Sequence, residues 1–94
     1  MRTIDQSSAF KRDWKREKAN PRHRRDLDEL VTAVLKLLVV DEALPIRNRD
    51  HTLSGDWTGC RECHIKPDLL LIYAIQDEHS LRLLRLGSHS ELFG

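Results

Sequence analysis

The sequence predicts one α+β domain, in which an opening strand and two helices pack on a mainly antiparallel sheet of about four strands. Three observations support this prediction. The chain has 94 residues, which is enough for a single small core. Apolar residues between positions 27 and 38 repeat with the period of a helix. After position 57 the pattern changes to short apolar runs separated by turn-forming residues, which is typical of strands.

The N-terminal elements follow from capping and spacing signals. Residues 2–6 can form the opening strand, and Ser7 or Ser8 can then cap the first helix. Phe10 and Trp14 are four positions apart, so they share one face of that helix, and basic residues cover the rest. The first helix is therefore expected to be amphipathic, with a narrow apolar stripe.

The second helix is the clearest element of the sequence. The Asn20-Pro21 pair ends the first helix, because the residue before a proline disfavours helical backbone. Leucines and valines from Leu27 to Leu38 keep a helical period, and acidic residues occupy the first turn, where the helix dipole favours them. This helix is predicted to end before Leu44-Pro45.

The second half of the chain is predicted to form an antiparallel meander. Residues 45–56 have no regular pattern, whereas residues 57–65, 69–75 and 81–86 are candidate strands joined by turn-like segments. The strand at 69–75 is apolar on both faces. It should therefore be central and covered by helices.

Basic residues are concentrated at the N-terminus, although the net charge is only +1. Residues 1–25 hold nine Lys or Arg against three Asp or Glu. Such a segment indicates either a solvated helix face or a surface for an anionic partner such as RNA. No run of residues is long and apolar enough for a membrane span, and the N-terminus lacks the apolar core of a secretory signal. A cytoplasmic location with reduced cysteines is expected.

Cys60, Cys63 and His64 spell the C-x-x-C-H signature of covalent haem attachment. A zinc site that adds His51 to these three residues is a second possibility. In a strand, however, Cys60 and Cys63 would point to opposite faces of the sheet, so they could not share one haem or one metal ion. We therefore expect neither group, and we interpret the cysteines as packing residues.

The candidate catalytic residues are polar groups that should gather at one end of the sheet. His64 ends one strand and Asp68 begins the next, so a tight hairpin brings them together. Glu62 shares the face of His64, because strand side chains alternate. If the last strand lies beside the central one, Arg85 and His89 converge on the same place.

Such a group of residues suits the cleavage of RNA without a metal ion. The ribose 2′-hydroxyl needs a base as it attacks the phosphorus, and the departing 5′-oxygen needs an acid. Imidazole can serve in either role near neutral pH. Arg85 can neutralise the charge of the phosphorane, and Asp68 can orient a histidine. The remaining histidines, His23 and His79, are interpreted as solvent-facing.

Five stretches in the second half of the chain match one known family: LP at 44–45, RDHTLSGDWTG at 49–59, RECHIKPD at 61–68, LIY at 71–73 and GSHSELFG at 87–94. Through them residues 44–94 resemble the YafQ branch of the RelE/ParE toxin superfamily in sequence, and the first 43 residues agree with it in layout. The resemblance implies a RelE-like fold.

The resemblance implies a role for each matching residue. His51, His64, Asp68 and His89 take the positions of the catalytic residues, and Arg85 that of a positive residue near the cleaved phosphate. Phe93 and Glu62 would contact the substrate, with Glu62 standing where the best-known member has Asp. We assign His89 as the acid, and either His51 or His64, with Asp68, as the base.

The resemblance also implies the activity and the partners. Such an enzyme enters the ribosomal A site and cuts mRNA there, leaving a 2′,3′-cyclic phosphate and a 5′-hydroxyl, with no cofactor. It would be held inactive by an antitoxin with a ribbon-helix-helix DNA-binding half. Contacts with RNA phosphates are expected from Lys11, Arg12, Lys15, Arg16, Arg22, Arg24 and Arg25.

Two other functions remain open at this point. A ParE-like protein of the same fold would block DNA gyrase and cut nothing, and it would not need clustered histidines. A zinc- or haem-binding protein would use the Cys60 and Cys63 pair.

Overall fold

Five strands form one sheet in the order β1-β5-β4-β3-β2 in the computed structural model, which describes residues 1–94. The strands are β1 (Thr3–Gln6), β2 (His51–Thr52), β3 (Arg61–Lys66), β4 (Leu69–Ile75) and β5 (Ser80–Gly87). The helices are α1 (Ser8–Ala19), α2 (Leu27–Val39) and α3 (His89–Phe93), with 3₁₀ turns at Ile46–Asn48 and Gly55–Trp57. None of the helices has the length and apolar character that crossing a bilayer requires.

The predicted α+β architecture is confirmed. The strands β3, β4 and β5 form the antiparallel meander, and β1 returns to pair with β5 in parallel. The sheet has five strands rather than about four, because His51 and Thr52 pair with β3 as a very short edge strand. The strand expected to begin at residue 57 begins at Arg61, because a 3₁₀ turn and Gly59, at a φ of 92°, occupy the preceding positions.

The largest hydrophobic cluster lies between α1, α2 and one face of the sheet, which we call the core face. Helix α1 begins where predicted, since Ser7 Oγ accepts a hydrogen bond from the Phe10 amide at 2.9 Å. Helix α2 buries the apolar stripe that its period predicts. The buried residues of this cluster are Phe10, Leu27, Val31, Val34, Leu38, Cys63, Ile65, Leu69, Leu71, Tyr73, Leu81, Leu83 and Leu86.

A much smaller cluster covers the opposite face of the sheet, which we call the site face. Leu70 and Ile72 of β4 are buried there against Leu92 of α3. Trp57 and Cys60, from the segment before β3, pack on them. Since β4 is buried on both faces, its predicted central position is confirmed.

The two cysteines lie on opposite faces of the sheet, as strand alternation predicts. Cys63 is fully buried in the cluster on the core face, whereas Cys60 packs with the cluster on the site face. Burial raises the pKa of the Cys63 thiol, which keeps it protonated. The two thiols therefore cannot hold one metal ion or one haem between them.

One pattern on α1 differs from the sequence interpretation. Asp13 and Glu17 are buried, although the sequence analysis expected basic residues to cover α1 outside its apolar stripe. His23, expected to face solvent, lies with Nδ1 2.5 Å from Glu17 Oε1, and its side chain is only 16% exposed. The prediction for His23 is therefore wrong, because Glu17 is its partner. His79 is exposed in the turn before β5, as expected.

Asp13 joins α1 to β5 through hydrogen bonds to both of its oxygens. Arg85 donates to them from Nε and Nη2 at 2.6 and 3.2 Å, and the Leu86 amide donates at 2.9 Å. Burial alone would raise the pKa of the Asp13 carboxyl. The hydrogen bonds from Arg85 and the Leu86 amide outweigh that effect and hold this pKa below its usual value.

We predict that Asp13→Asn lowers the free energy of unfolding at pH 7 by about 3 kcal/mol, since it removes the charged partner of a buried pair. The folded-state pKa is the lower one, so this contribution is present above the unfolded pKa and is lost as the pH falls through the folded pKa. Urea unfolding of the variant and the parent protein should therefore converge in acid.

The matched control for this experiment is Asp28→Asn, which breaks an exposed pair with Lys18. It should cost less than about 1 kcal/mol at any pH. An equal loss for the two variants at pH 7 would contradict the structural role of Asp13.

Candidate active site

The register of the sheet places the predicted site residues in two adjacent rows on the site face. One row runs from His51 to Glu62, Ile72 and Arg85, which are paired in sequence across β2, β3, β4 and β5. In the next row, His64 pairs with Leu70, and Leu70 with Gly87 at the end of β5. Directly opposed residues share a face, so strands distant in sequence deliver their polar groups to one area.

His64 and His89 come together at the end of this second row. Their ring centroids are 5.8 Å apart. Asp68, in the turn between β3 and β4, accepts from the backbone amide of His89 at 3.1 Å and lies 2.9 Å from His89 Nδ1. These hydrogen bonds hold the pKa of the Asp68 carboxyl below its usual value, so Asp68 is ionised at neutral pH.

Glu62 lies between the imidazole groups of His51 and His64. Its carboxylate oxygen Oε1 is 3.5 Å from His51 Nε2 and 3.7 Å from His64 Nε2, and the residue is only 3% exposed. The two histidines have carbonyl partners on their other nitrogens, Arg49 for His51 at 2.7 Å and Pro67 for His64 at 3.2 Å. Because a carbonyl only accepts, Nδ1 of each ring donates to its carbonyl, and the two Nε2 atoms face the carboxylate of Glu62.

The loop that carries His51 is tied to β3 and β4 by residues to which the sequence analysis gave no role. Asp50 accepts from Tyr73 at 2.5 Å and from Arg61 at 3.0 Å. Asn48 donates to the backbone carbonyl of His64 at 2.7 Å. Burial and the bond to Asp50 raise the pKa of Tyr73, so its hydroxyl stays a donor. Asp50, Arg61 and Tyr73 lie within the recognised motifs, but spacing alone does not show that they meet.

Aromatic side chains form one edge of the site. Phe93 is 44% exposed, and its ring centroid lies 6.4 Å from that of His89 and 6.5 Å from that of Trp57. An exposed aromatic ring can stack on a nucleotide base. Phe93 thus lies close enough to the histidines for the role that the resemblance implies.

Arg85 and Arg16 differ from the sequence interpretation. Arg85 lies in the row of Glu62, but its guanidinium is paired with Asp13 of α1 rather than with a residue of the histidine cluster. Arg16 was expected to bind RNA phosphates, but its guanidinium contacts Asp13, Glu17 and Glu91. Such pairing leaves Arg16 few donors for an external phosphate.

The other six predicted phosphate contacts have a different environment. They are exposed on α1 and on the turn between α1 and α2, and no acidic side chain pairs with them. These residues are Lys11, Arg12, Lys15, Arg22, Arg24 and Arg25.

Three groups of the site are spaced closely enough to act together on one metal ion. Ligand atoms of Glu62, His64 and His89 all lie within 4.8 Å of one another. Carboxylate and imidazole are ligands that zinc and copper accept. Ligand atoms around such an ion lie closer together than 4.8 Å, so binding would draw the three groups inward.

Helix α3, which carries His89, is an element that the sequence interpretation missed. Ser88 Oγ accepts from the Glu91 amide at 3.2 Å, and Glu91 Oε1 accepts from the Ser88 amide at 2.9 Å. This is a capping box, and its Ser-x-x-Glu spelling is visible at 88–91. His89 is the first helical residue after this cap.

Known proteins share both the sequence and the fold. The family model described as a bacterial toxin of type II toxin-antitoxin systems, YafQ, matches residues 2–94. The mRNA interferase toxin YafQ of Escherichia coli K12 is 38% identical over 94 residues, covering 100% of this chain and 98% of that protein.

Solved structures agree over the full length. A metal-bound toxin from Helicobacter pylori has a TM-score of 0.88 at 45% identity, covering 99% of this chain and 100% of that one. YafQ in the E. coli DinJ-YafQ complex has a TM-score of 0.84 at 34% identity, covering 100% of both chains. The predicted RelE-like fold and the predicted YafQ branch are thus confirmed. With a matching family model, matching length and matching fold, this chain belongs to the YafQ family of toxins from bacterial type II toxin-antitoxin systems.

Proposed function

We propose that this toxin is an mRNA interferase, a ribosome-dependent endoribonuclease that cuts by acid and base catalysis. One observation carries the proposal: the rings of His64 and His89 lie 5.8 Å apart on an open face of the sheet, with a carboxylate on His89. The E. coli relative that matches the full chain is named an mRNA interferase. A ParE-like toxin that blocks gyrase without cutting RNA would not need these paired imidazoles.

The hydrogen bonds give the two histidines different roles. His64 donates from Nδ1 to the Pro67 carbonyl, so Nε2, beside Glu62, is the nitrogen that we assign to take the proton of the ribose 2′-hydroxyl. The ionised Asp68 accepts from His89 Nδ1, which leaves Nε2 of His89 to present a proton. His89 is therefore the acid that protonates the departing 5′-oxygen, and Asp68 orients it. His51 lies across Glu62 from His64 and is assigned a supporting role.

The negative charge of the phosphorane requires a nearby cation. We assign this role to Arg85. Its side chain is 28% exposed. Arg85 is paired with Ile72 of β4, which is paired with Glu62 of β3 at the site. Contact with a phosphate would require Arg85 to give up part of its pairing with Asp13. Glu62 and Phe93 are assigned to substrate contact, Phe93 by stacking on a base.

Positioning on the ribosome is assigned to the six exposed cations on α1 and the turn that follows it. Contacts of this kind bind phosphates without regard to sequence, and they weaken as salt rises. The regulating partner is proposed to be a ribbon-helix-helix antitoxin, since a solved structure of the E. coli relative is a DinJ-YafQ complex.

We predict that His64→Ala and His89→Ala each lower the rate of mRNA cleavage by about 10²- to 10⁴-fold, because each removes one proton-transfer group. The measurement is the rate at which the protein cuts mRNA on ribosomes that hold a defined codon in the A site. His79→Ala is the matched control, since His79 is exposed in a distant turn. Full activity in both site variants would contradict the proposal.

The pH dependence tests the assignment of His89 as the acid. A bell-shaped profile is expected, because the base must be neutral while the acid is protonated. His89→Ala removes the proposed acid, so its residual activity should lose the alkaline limb. His79→Ala, a change of the same chemistry away from the site, should leave the profile in place. An alkaline limb that persists in His89→Ala would argue against this assignment.

Zinc is predicted to inhibit cleavage rather than support it. A related H. pylori toxin was solved with metal bound, and here Glu62, His64 and His89 could hold such an ion. Binding would occupy the nitrogens that we assign to proton transfer. Added Zn²⁺ should therefore slow cutting, a zinc-selective chelator should restore it, and Mg²⁺ can stay constant for the ribosome. Faster cutting with Zn²⁺ would contradict the mechanism.

A further inference from the structure

The guanidinium of Arg16 lies beneath the junction between β5 and α3. Its Nη2 donates to the Leu86 carbonyl at 2.7 Å, and its Nε lies 3.2 Å from Glu91 Oε2. The same Nε donates to Glu17 Oε2 at 3.0 Å, and Nη1 donates to Asp13 Oδ1 at 3.0 Å. Arg16 thus links α1, the end of β5 and the first turn of α3.

Glu91 transmits this contact to the start of α3. One of its oxygens meets Arg16, while the other accepts from the Ser88 amide at 2.9 Å. Ser88 is the residue just before His89, so the chain of contacts runs from Arg16 through Glu91 and Ser88 to the proposed acid. Arg16 itself has no recorded contact with His89.

Gly87 provides independent support for this junction. A Cβ atom there would lie 2.8 Å from Arg16 Nη2 and 3.1 Å from Glu91 Oε1. The backbone of Gly87 does not require glycine for its φ angle, because it is not among the glycines with positive φ. The missing side chain therefore leaves the space that the Arg16 guanidinium occupies.

A helix of five residues is not stable by itself, so its anchors decide where His89 lies. Besides Arg16, these anchors are the buried Leu92 and the contact of His89 with Asp68. We propose that Arg16 is a positioning residue for His89, acting through Glu91, rather than a contact to RNA phosphate. This inference rests on the proposed function.

Neutralising the buried acids does not by itself explain Arg16. Without it, Asp13 would keep Arg85 and the Leu86 amide, and Glu17 would keep His23 on Oε1 although Oε2 would lose its donor. Beyond the acids of α1, Arg16 contacts Glu91 and the Leu86 carbonyl. Both of these lie at the junction that leads to α3.

The test compares Arg16→Gln, Glu91→Gln and the double variant in ribosome-bound mRNA cleavage. Glutamine at position 91 can still accept from the Ser88 amide, so Glu91→Gln removes mainly the ion pair. Each single variant should lower kcat by about 10- to 100-fold with KM unchanged, because small misplacements of a catalytic group have effects of that size. The double variant should be no slower than the slower single variant, since the two residues act in one chain of contacts.

Hydrogen exchange of the Leu92 and Gly94 amides gives a readout that does not depend on activity. These amides donate to the carbonyls of Ser88 and Ser90 within α3. Exchange should be faster in Arg16→Gln and Glu91→Gln, and unchanged in Lys36→Gln, which removes an exposed cation from α2. Gly87→Ala should lower kcat and speed exchange in the same way while it keeps every charge.

Two results would overturn the inference. Losses that multiply in the double variant, together with a raised KM for Arg16→Gln, would show that Arg16 contacts the substrate. Unchanged exchange in the Glu91→Gln protein, whose altered side chain is partly exposed and so leaves the core intact, would show that the ion pair does not hold α3. If the parent protein cuts no mRNA, the proposed function fails, and the exchange data alone decide whether Arg16 anchors α3.

Discussion

The register of β3, β4 and β5 is the constraint on which the candidate site depends. It pairs His64 with Leu70 and Leu70 with Gly87, so the hairpin turn at Asp68 and the start of α3 meet at one end of the sheet. A slip of one residue would turn every side chain of a strand to the other face. His64 would then point into the core and Cys63 toward the substrate. The leucines and Cys63 buried on the core face hold the register against such a slip.

One face of the sheet buries most of the hydrophobic core, and the other face carries the candidate site. Thirteen buried residues form the cluster beneath α1 and α2, whereas three form the cluster on the site face. A polar site of this kind occupies area that could otherwise bury apolar side chains, and natural proteins accept such local conflicts at functional sites. The site face is then ordered largely by carboxylates, with Glu62 between two histidines and Asp68 on His89.

Much of the fold could be predicted from the sequence, because periodicity and turn chemistry are local signals. The bounds of β4 and the cap of α1 at Ser7 were found in this way. The strand β2 was missed, since two residues are too few to show an alternating pattern. The helix α3 was missed although its capping box is spelled in the sequence.

The sequence predicted which residues form the candidate site better than it predicted which ion pairs surround them. Hairpin geometry and the family resemblance together brought His64, Asp68 and His89 to one place. The pairing of Arg85 with Asp13 and of Glu17 with His23 could not be predicted. The first pair joins residues that meet only after α1 has docked on β5, and the second depends on the path of the turn that follows α1. Charge pattern alone therefore assigned Arg16 to RNA, although it contacts acidic side chains within the protein.

The central claim is that these imidazoles cut RNA by directing the ribose 2′-hydroxyl at the neighbouring phosphorus. The most direct test gives the purified protein ribosomes loaded with mRNA that carries a single 2′-deoxy sugar at the mapped cleavage position. The account predicts that the deoxy message stays intact, while the all-ribose message is cut to leave a 2′,3′-cyclic phosphate. Cutting of the deoxy message at the same position, or a 3′-hydroxyl on the product, would contradict it.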